Sequence, residues 1–374
     1  MSSLHRRDWL KRSSLAIAGF SISLPQIASA KEIERKHFYE TGPIRLSSNE
    51  NPYGPSPMAR KAMGEVINNS NRYPWDLTTK LIEKLGEHHN LPADHVLLGA
   101  GSSEILGLAV QLAALNKGNA ITAEPAFSSW VGAASNHGLE IIKVPLNSEK
   151  THDFQSMLSK ITTSTRLFYI CNPNNPTGTI LPSSTVRAAA ETASRQAIVL
   201  IDEAYMEYSD DNGLSDMVSK NKNIIIAKTF SKIHGLAGAR IGYALAHPDT
   251  IDKLGSLQPW MNAGVSAVSL AGAIASLDDK KFLSESKAKN TEARNFTEKG
   301  LKALGITVIP SVTNFIYYSP GSFKGNWQEG LRSRNILSGR VVESNGQWPR
   351  TTIGTIDEMK KFVAAAAEIM KGNG

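Results

Sequence analysis

Lys232 stands just after an apolar, strand-like run, Ile224-Ile225-Ile226-Ala227, where an amine can act as a covalent nucleophile toward a carbonyl compound. Two hydroxyls, on Thr229 and Ser231, precede it, and the Arg240 guanidinium follows eight positions on. The residues between are mostly small, among them Gly235, Ala237, Gly238 and Ala239, so backbone can approach a ligand closely. Hydroxyls and a planar five-donor fork suit a dianionic phosphate. Taken alone, Thr-x-Ser-Lys is more often a solvated turn, because short motifs carry little weight by themselves.

Two further segments add ring-binding groups. Arg166-Leu167-Phe168-Tyr169-Ile170 reads as a buried strand that delivers the turn Cys171-Asn172-Pro173-Asn174-Asn175-Pro176-Thr177-Gly178. The carboxyl end of such a strand is where open α/β sheets place ligands. A second apolar run, Ala197 to Ile201, ends in Asp202-Glu203-Ala204-Tyr205. An aspartate there can meet a pyridinium nitrogen and hold its proton, while Asn175 and Tyr205 can both hydrogen-bond a phenolic ring oxygen. Each segment also has an ordinary reading, as a turn or a helix start. In the order Asn175, Asp202, Tyr205, Lys232, Arg240, they form the donor set that pyridoxal 5'-phosphate requires, with Lys232 as its Schiff-base lysine.

With these residues in place, the chain resembles the fold-type I pyridoxal-phosphate aminotransferases, and within them it is most similar to the histidinol-phosphate aminotransferase group. The likeness runs from about Ile44 to the C-terminus, through Leu46-Ser47-Ser48-Asn49-Glu50-Asn51-Pro52-Tyr53-Gly54-Pro55-Ser56-Pro57, Arg72-Tyr73-Pro74, the Cys171 to Gly178 turn, Asp202 to Tyr205, Thr229 to Arg240 and Arg350-Thr351-Thr352-Ile353-Gly354-Thr355. The resemblance implies roles. Lys232, Asp202 and Tyr205 would be catalytic, and Asn175 and Tyr205 would hold the phenolate oxygen. Arg240, Ser231 and Thr229 would hold the phosphate with Gly101, Ser102 and Ser103, which follow the strand Val96 to Leu98 at a helix N-terminus suited to an anion. Phe127 would stack on the cofactor ring, with Trp130 as a weaker alternative. Tyr73 would reach the cofactor phosphate of a neighbouring subunit, which makes a homodimer the expected working unit. Arg350 would grip the substrate's carboxylate or the polar group that replaces it, with Asn49 and Arg340 as further substrate contacts. The amino donor would be an amino acid or a histidinol-phosphate-like amine, and the acceptor a 2-oxo acid such as 2-oxoglutarate. The same scaffold also serves decarboxylases and other lyases. A binding module without activity would lack Lys232 or Asp202, and both are present.

Other site readings fail. Gly99-Ala100-Gly101 suggests a dinucleotide fingerprint, but Glu104 occupies its third glycine position. No Gly-x-x-x-x-Gly-Lys-Ser/Thr occurs. His88-His89 lacks a metal-binding i, i+4 partner and reads as helix surface, so no metal is expected. Cys171 is the sole cysteine and cannot form an internal disulfide.

The N-terminus carries a separate signal. His5-Arg6-Arg7-Asp8-Trp9-Leu10-Lys11-Arg12, the mildly apolar Ser13 to Leu24 and Ala28-Ser29-Ala30 read as a twin-arginine export signal with a small-residue cleavage site. The apolar part is short and interrupted by Gly19, whereas a membrane span needs roughly twenty residues, so no stable span is expected. The expected location is periplasmic or exported, with the cytoplasm as the alternative. Histidinol phosphate is a cytoplasmic intermediate, so an exported enzyme points instead to an aromatic or other amino acid as donor. Formal charge is +7, of which residues 1–30 hold +3, leaving +4 scattered among acids. That is no footprint for nucleic acid.

Alternating strands and helices over the middle of the chain predict a mainly parallel sheet with helices on both faces. Strands are expected at 96–98, 120–123, 140–144, 167–170, 198–201, 224–227 and 242–246, then a helical stretch over 266–303, strands at 307–310 and 314–318, a variable loop and a helix from Ile356 to Lys371. By resemblance the fold is α/β, a fold-type I transferase with a seven-stranded sheet and a smaller α+β domain. Its parts would be a signal peptide at 1–30, a large cofactor domain at 66–259, and a small domain from 31–65 and 260–374.

Overall fold

The computed structural model describes residues 42–321, 323–343 and 347–372; the expected export signal lies outside them. A short strand β1 (Ile44–Leu46) leads in. The seven expected strands then form β2 (Val96–Gly99), β3 (Gly118–Glu124), β4 (Leu139–Pro145), β5 (Thr165–Cys171), β6 (Ile198–Asp202), β7 (Ile224–Thr229) and β8 (Gly242–Ala246), joined in one sheet of order β2-β8-β7-β6-β5-β3-β4. Every pairing is parallel except those of β8, which runs antiparallel to both neighbours.

The continuous apolar runs of the central strands β5, β6 and β7 are a consequence of burial on both faces. Along β7, Ile224 and Ile226 enter the core on one side of the sheet, with Leu98, Phe168 and Leu245. Ile225 and Ala227 enter the other, with Leu97, Ile105 and Leu200. Side chains alternate between faces, so a strand covered twice must be apolar at every position. Each buried isoleucine or leucine stabilises the sheet by roughly 1.5–3 kcal/mol relative to exposure.

The stretch expected as helical over 266–303 is two helices, Ala267–Asp278 and Lys280–Ala303. Asp279 separates them at φ −81° and ψ 63°, and its carboxylate caps the second by accepting from the Phe282 N–H at 3.2 Å. The break lets the two helices serve different cores. Leu270, Ala273, Ile274 and Leu277 pack under the large sheet, whereas Ala293 and Leu301 join a smaller core with Leu46, Tyr318 and Phe362.

That smaller core lies against β9 (Thr307–Ile309) and β10 (Phe315–Ser319), and the expected variable loop contains the helix Trp327–Arg332 and three strands, β11 (Ile336–Ser338), β12 (Val341–Glu343) and β13 (Trp348–Thr352). Strands β12-β13-β10-β9 make a second sheet, and β1 pairs in parallel with β11. Short runs with half-buried residues gave no clear periodicity, which is why these strands were not expected. The closing helix Ile356–Lys371 is fixed by a capping box between Thr355 and Glu358.

Candidate active site

The carboxyl ends of β5, β6 and β7 deliver the Asn175 turn, Asp202 and Thr229 to one cavity of about 290 Å³. Its wall brings together Asn49, Ser102, Ser103, Phe127, Asn175, Asp202, Tyr205, Thr229, Ser231, Lys232, Arg240 and Arg350. A second cavity of about 580 Å³ adjoins it, sharing Phe127, Asn175 and Arg350 and adding Arg340 with Ser338 and Gly339. Tyr73 lines neither: it is 73% exposed, stacks on Trp75 and meets Trp260 at a tilt at the surface. Trp130 is buried in the core with its indole donating to the Phe127 carbonyl, so Phe127 is the aromatic that faces the cavity.

At one end the groups suit a phosphate. The helix Ser102–Ala113 begins here, with Gly101 before it at φ +87°. A Cβ on Gly101 would come within 2.5 Å of the Arg240 Nη2, so glycine is required for the guanidinium to lie against this turn. Arg240 is itself left-handed at φ 54° and is held by donating to the carbonyls of Ala237 and Ala100 at 2.9 and 3.3 Å. The Thr229 hydroxyl donates to the Ser231 oxygen at 3.0 Å and accepts from the Ser231 N–H at 3.1 Å. A helix start, hydroxyls and one guanidinium converging on a cradle that no side chain fills fit the phosphate of pyridoxal 5'-phosphate.

The other end suits its ring. Asp202 is buried; its Oδ2 accepts from the Tyr169 hydroxyl at 3.0 Å and its Oδ1 from the Ala204 N–H at 3.1 Å. Burial pushes the carboxyl up to about 6, with the Tyr169 hydrogen bond opposing that rise. The Tyr205 hydroxyl accepts from Asn49 Nδ2 at 2.9 Å and Asn175 Nδ2 at 3.2 Å. Asn175 in turn accepts from Arg350 Nη1 at 2.8 Å, and Arg350 Nη2 donates to the Ser47 carbonyl at 2.8 Å. The guanidinium lies over the Phe315 ring, and its buried Nε has no partner among the described residues.

Two lysines of this segment are electrostatic opposites. Lys228 is buried, yet Glu207 and Glu203, each 3.1 Å from its Nζ, outweigh the burial and hold the ammonium above its ordinary range. Among the described residues, Lys232 Nζ meets the Asn49 carbonyl at 3.4 Å and the Tyr205 ring at 5.4 Å. Burial, then the Arg350 charge, bring it down to about 8. A nucleophilic amine has to be free of its proton part of the time, so Lys232 meets the requirement and Lys228 does not. Sequence reasoning passed over Lys228, Glu203 and Tyr169. In the sequence Tyr169 is one more member of an apolar run, and only strand register sets it beside Asp202.

The family profile described as aminotransferase class I and II matches residues 41–365. Histidinol-phosphate aminotransferase 1 of Dechloromonas aromatica (strain RCB) is 36% identical over 329 residues, covering 86% of this chain and 88% of that protein. Histidinol-phosphate aminotransferase 1 of Cupriavidus pinatubonensis is 34% identical over 379 residues, covering 97% and 96%. Among solved structures, the histidinol-phosphate aminotransferase of Sinorhizobium meliloti in complex with pyridoxal-5'-phosphate matches with a TM-score of 0.79 at 26% identity, covering 88% of this chain and 91% of that one. The cavity chemistry and these matches lead to one conclusion: the chain belongs to the aminotransferase class I and II family and is a pyridoxal-phosphate-dependent aminotransferase.

Proposed function

We propose that this aminotransferase moves an amino group between a histidinol-phosphate-like amine and a 2-oxo acid such as 2-oxoglutarate. The observation that carries the reading is Arg350, which reaches from β13 into the cavity of Lys232 and Asp202 and borders the larger cavity that holds Arg340. Two guanidinium groups at that border suit an amine with an anionic end. The names of the relatives support the same donor.

When bound, pyridoxal 5'-phosphate supplies an aldehyde carbon for amines and a ring that withdraws electrons. Ser102, Ser103, Thr229, Ser231 and Arg240 would hold its phosphate, Phe127 its ring face, Asn175 and Tyr205 its phenolic oxygen, and Asp202 its ring nitrogen. Lys232 Nζ, poised at about 8, takes up and gives back the substrate's proton, because near neutral pH both of its forms are accessible. Arg350 and Arg340 orient the substrate's anionic groups, and Asn49 steadies Tyr205. Borohydride treatment of the holoenzyme followed by peptide mapping should place the pyridoxyl label on Lys232. The donor is tested by single-turnover absorbance with histidinol phosphate, aromatic amino acids and aspartate. Fastest conversion is expected with histidinol phosphate; an aromatic amino acid converted while histidinol phosphate is not would overturn the reading and favour the alternative donor.

The same reading divides the chain into a large part at 66–259 and a small part of 31–65 with 260–374, with the site where they meet. It includes a homodimer in which the exposed Tyr73 serves the partner's site, checked by sedimentation and by weaker cofactor retention in Tyr73→Phe. A separate reading is export of the folded enzyme by the Arg6-Arg7 signal, which would favour the alternative amino-acid donor over histidinol phosphate. Replacing both arginines by lysine should leave uncleaved, active precursor in the cytoplasm, and unchanged export would remove that assignment.

A further inference from the structure

We propose that Tyr169 is a positioning residue whose hydroxyl, donated to Asp202 Oδ2, decides whether Asp202 or the cofactor's ring nitrogen keeps the proton they share. Tyr169 does not line the cavity, so it acts on the reaction only through Asp202. Its ring is fully buried on β5, packed against Trp130 at 5.0 Å between centroids, and its hydroxyl lies 3.0 Å from the carboxylate on the neighbouring β6. Strand pairing fixes this approach, since Tyr169 is registered with Leu200 and Cys171 with Asp202.

The physical reason is the balance of charge around one buried carboxylate. Burial favours its neutral form, and Glu203 adds to that, whereas the Tyr169 hydroxyl, the Ala204 N–H and the Lys232 ammonium favour the anion. From β5 the Cys171 thiol also faces it; burial, then the Asp202 charge, hold that thiol neutral. An Asp202 that took the proton for itself would leave the ring nitrogen neutral and the ring a weaker electron acceptor. Of the groups favouring the anion, Tyr169 is the one that neither enters the cavity nor belongs to the backbone. Burial also keeps the Tyr169 phenol well above its ordinary range, with the Asp202 charge next in effect, so it donates at every working pH.

The test is Tyr169→Phe, which keeps the ring and removes the donor. In the cofactor-free protein, difference infrared titration with Asp202→Asn as the blank should show the Asp202 carboxyl moving up by about one pH unit, the scale of one hydrogen bond to a charged group. In the holoenzyme the 15N resonance of the ring nitrogen should move toward its unprotonated position, and kcat should fall about tenfold at unchanged KM. A difluorotyrosine at position 169, a stronger acid with the same shape, should move the carboxyl down and so decides the matter even if the phenylalanine variant folds poorly. An Asp202 midpoint unmoved by either change would overturn the proposal. The titration needs neither cofactor nor amino donor, so its failure is distinct from a failure of the substrate reading.

Discussion

The cavity around Asp202 and the larger cavity around Arg340 are neighbours that share three side chains, yet they are built differently. In the first, Asp202, Thr229, Ser231, Asn175 and Tyr205 are buried and each is held by a neighbour at hydrogen-bond distance. In the second, Arg340, Ser128 and Ser129 are exposed, and the wall combines the Ala126 to Ser129 segment with residues from β11 to β13 and the turn between them. A group bound in the first meets donors already in position, so little reorganisation opposes its chemistry. A group bound in the second meets a side chain that must be ordered on arrival, which suits recognition of an exchangeable substrate. The difference is the one expected if the first cavity sets the reaction and the second selects the molecule.

The largest effect should come from the held cavity. Asp202→Asn should retain the cofactor through its phosphate contacts yet lose turnover by several powers of ten, each tenfold being about 1.4 kcal/mol of barrier, because a neutral amide cannot hold a proton on the ring nitrogen. Stopped-flow half-reactions measure this, and near-normal rates would show that the held cavity does not govern the chemistry.

A change in the open cavity should act on binding instead. Arg340→Gln should raise the KM of an anionic donor about tenfold, a loss of about 1.4 kcal/mol, with kcat within about twofold. A matching fall in kcat would show that Arg340 takes part in the chemistry and that the two cavities do not divide the work.

The smallest effect concerns Arg350, which belongs to both. Its charge disfavours the Lys232 ammonium, so Arg350→Gln should raise the Lys232 midpoint above about 8 by about half a pH unit. Capture of added cofactor by the apoprotein needs the neutral amine. Its rate should therefore increase as pH rises through that midpoint, and the curve should lie at higher pH in the variant. An unmoved or lowered midpoint would place Arg350 outside the electrostatics of Lys232.

The same division governs what could be read in advance. The large sheet was legible because strands buried on both faces must be apolar throughout, as at Ile224 to Ala227 and Val199 to Ile201. Strands β11 to β13 were hidden because half-buried short segments carry no such constraint, and the break at Asp279 was hidden because an aspartate can cap a helix or lie on its surface. The held cavity's residues stood out by type at strand ends. The pairing of Arg350 with Asn175, 175 positions apart, did not.

By itself the sequence determined the chemistry available: a lysine, an aspartate, an arginine and two hydroxyls at the ends of apolar runs, with a glycine where an anion can approach. Tertiary structure decided the electrostatics that set two nearby lysines apart. Lys228 and Lys232 are the same amine on the same segment, and they differ because folding brings Glu203 and Glu207 to one and Arg350 to the other. Charge interactions fall with distance and rise with burial, and both are set only when the strands have packed.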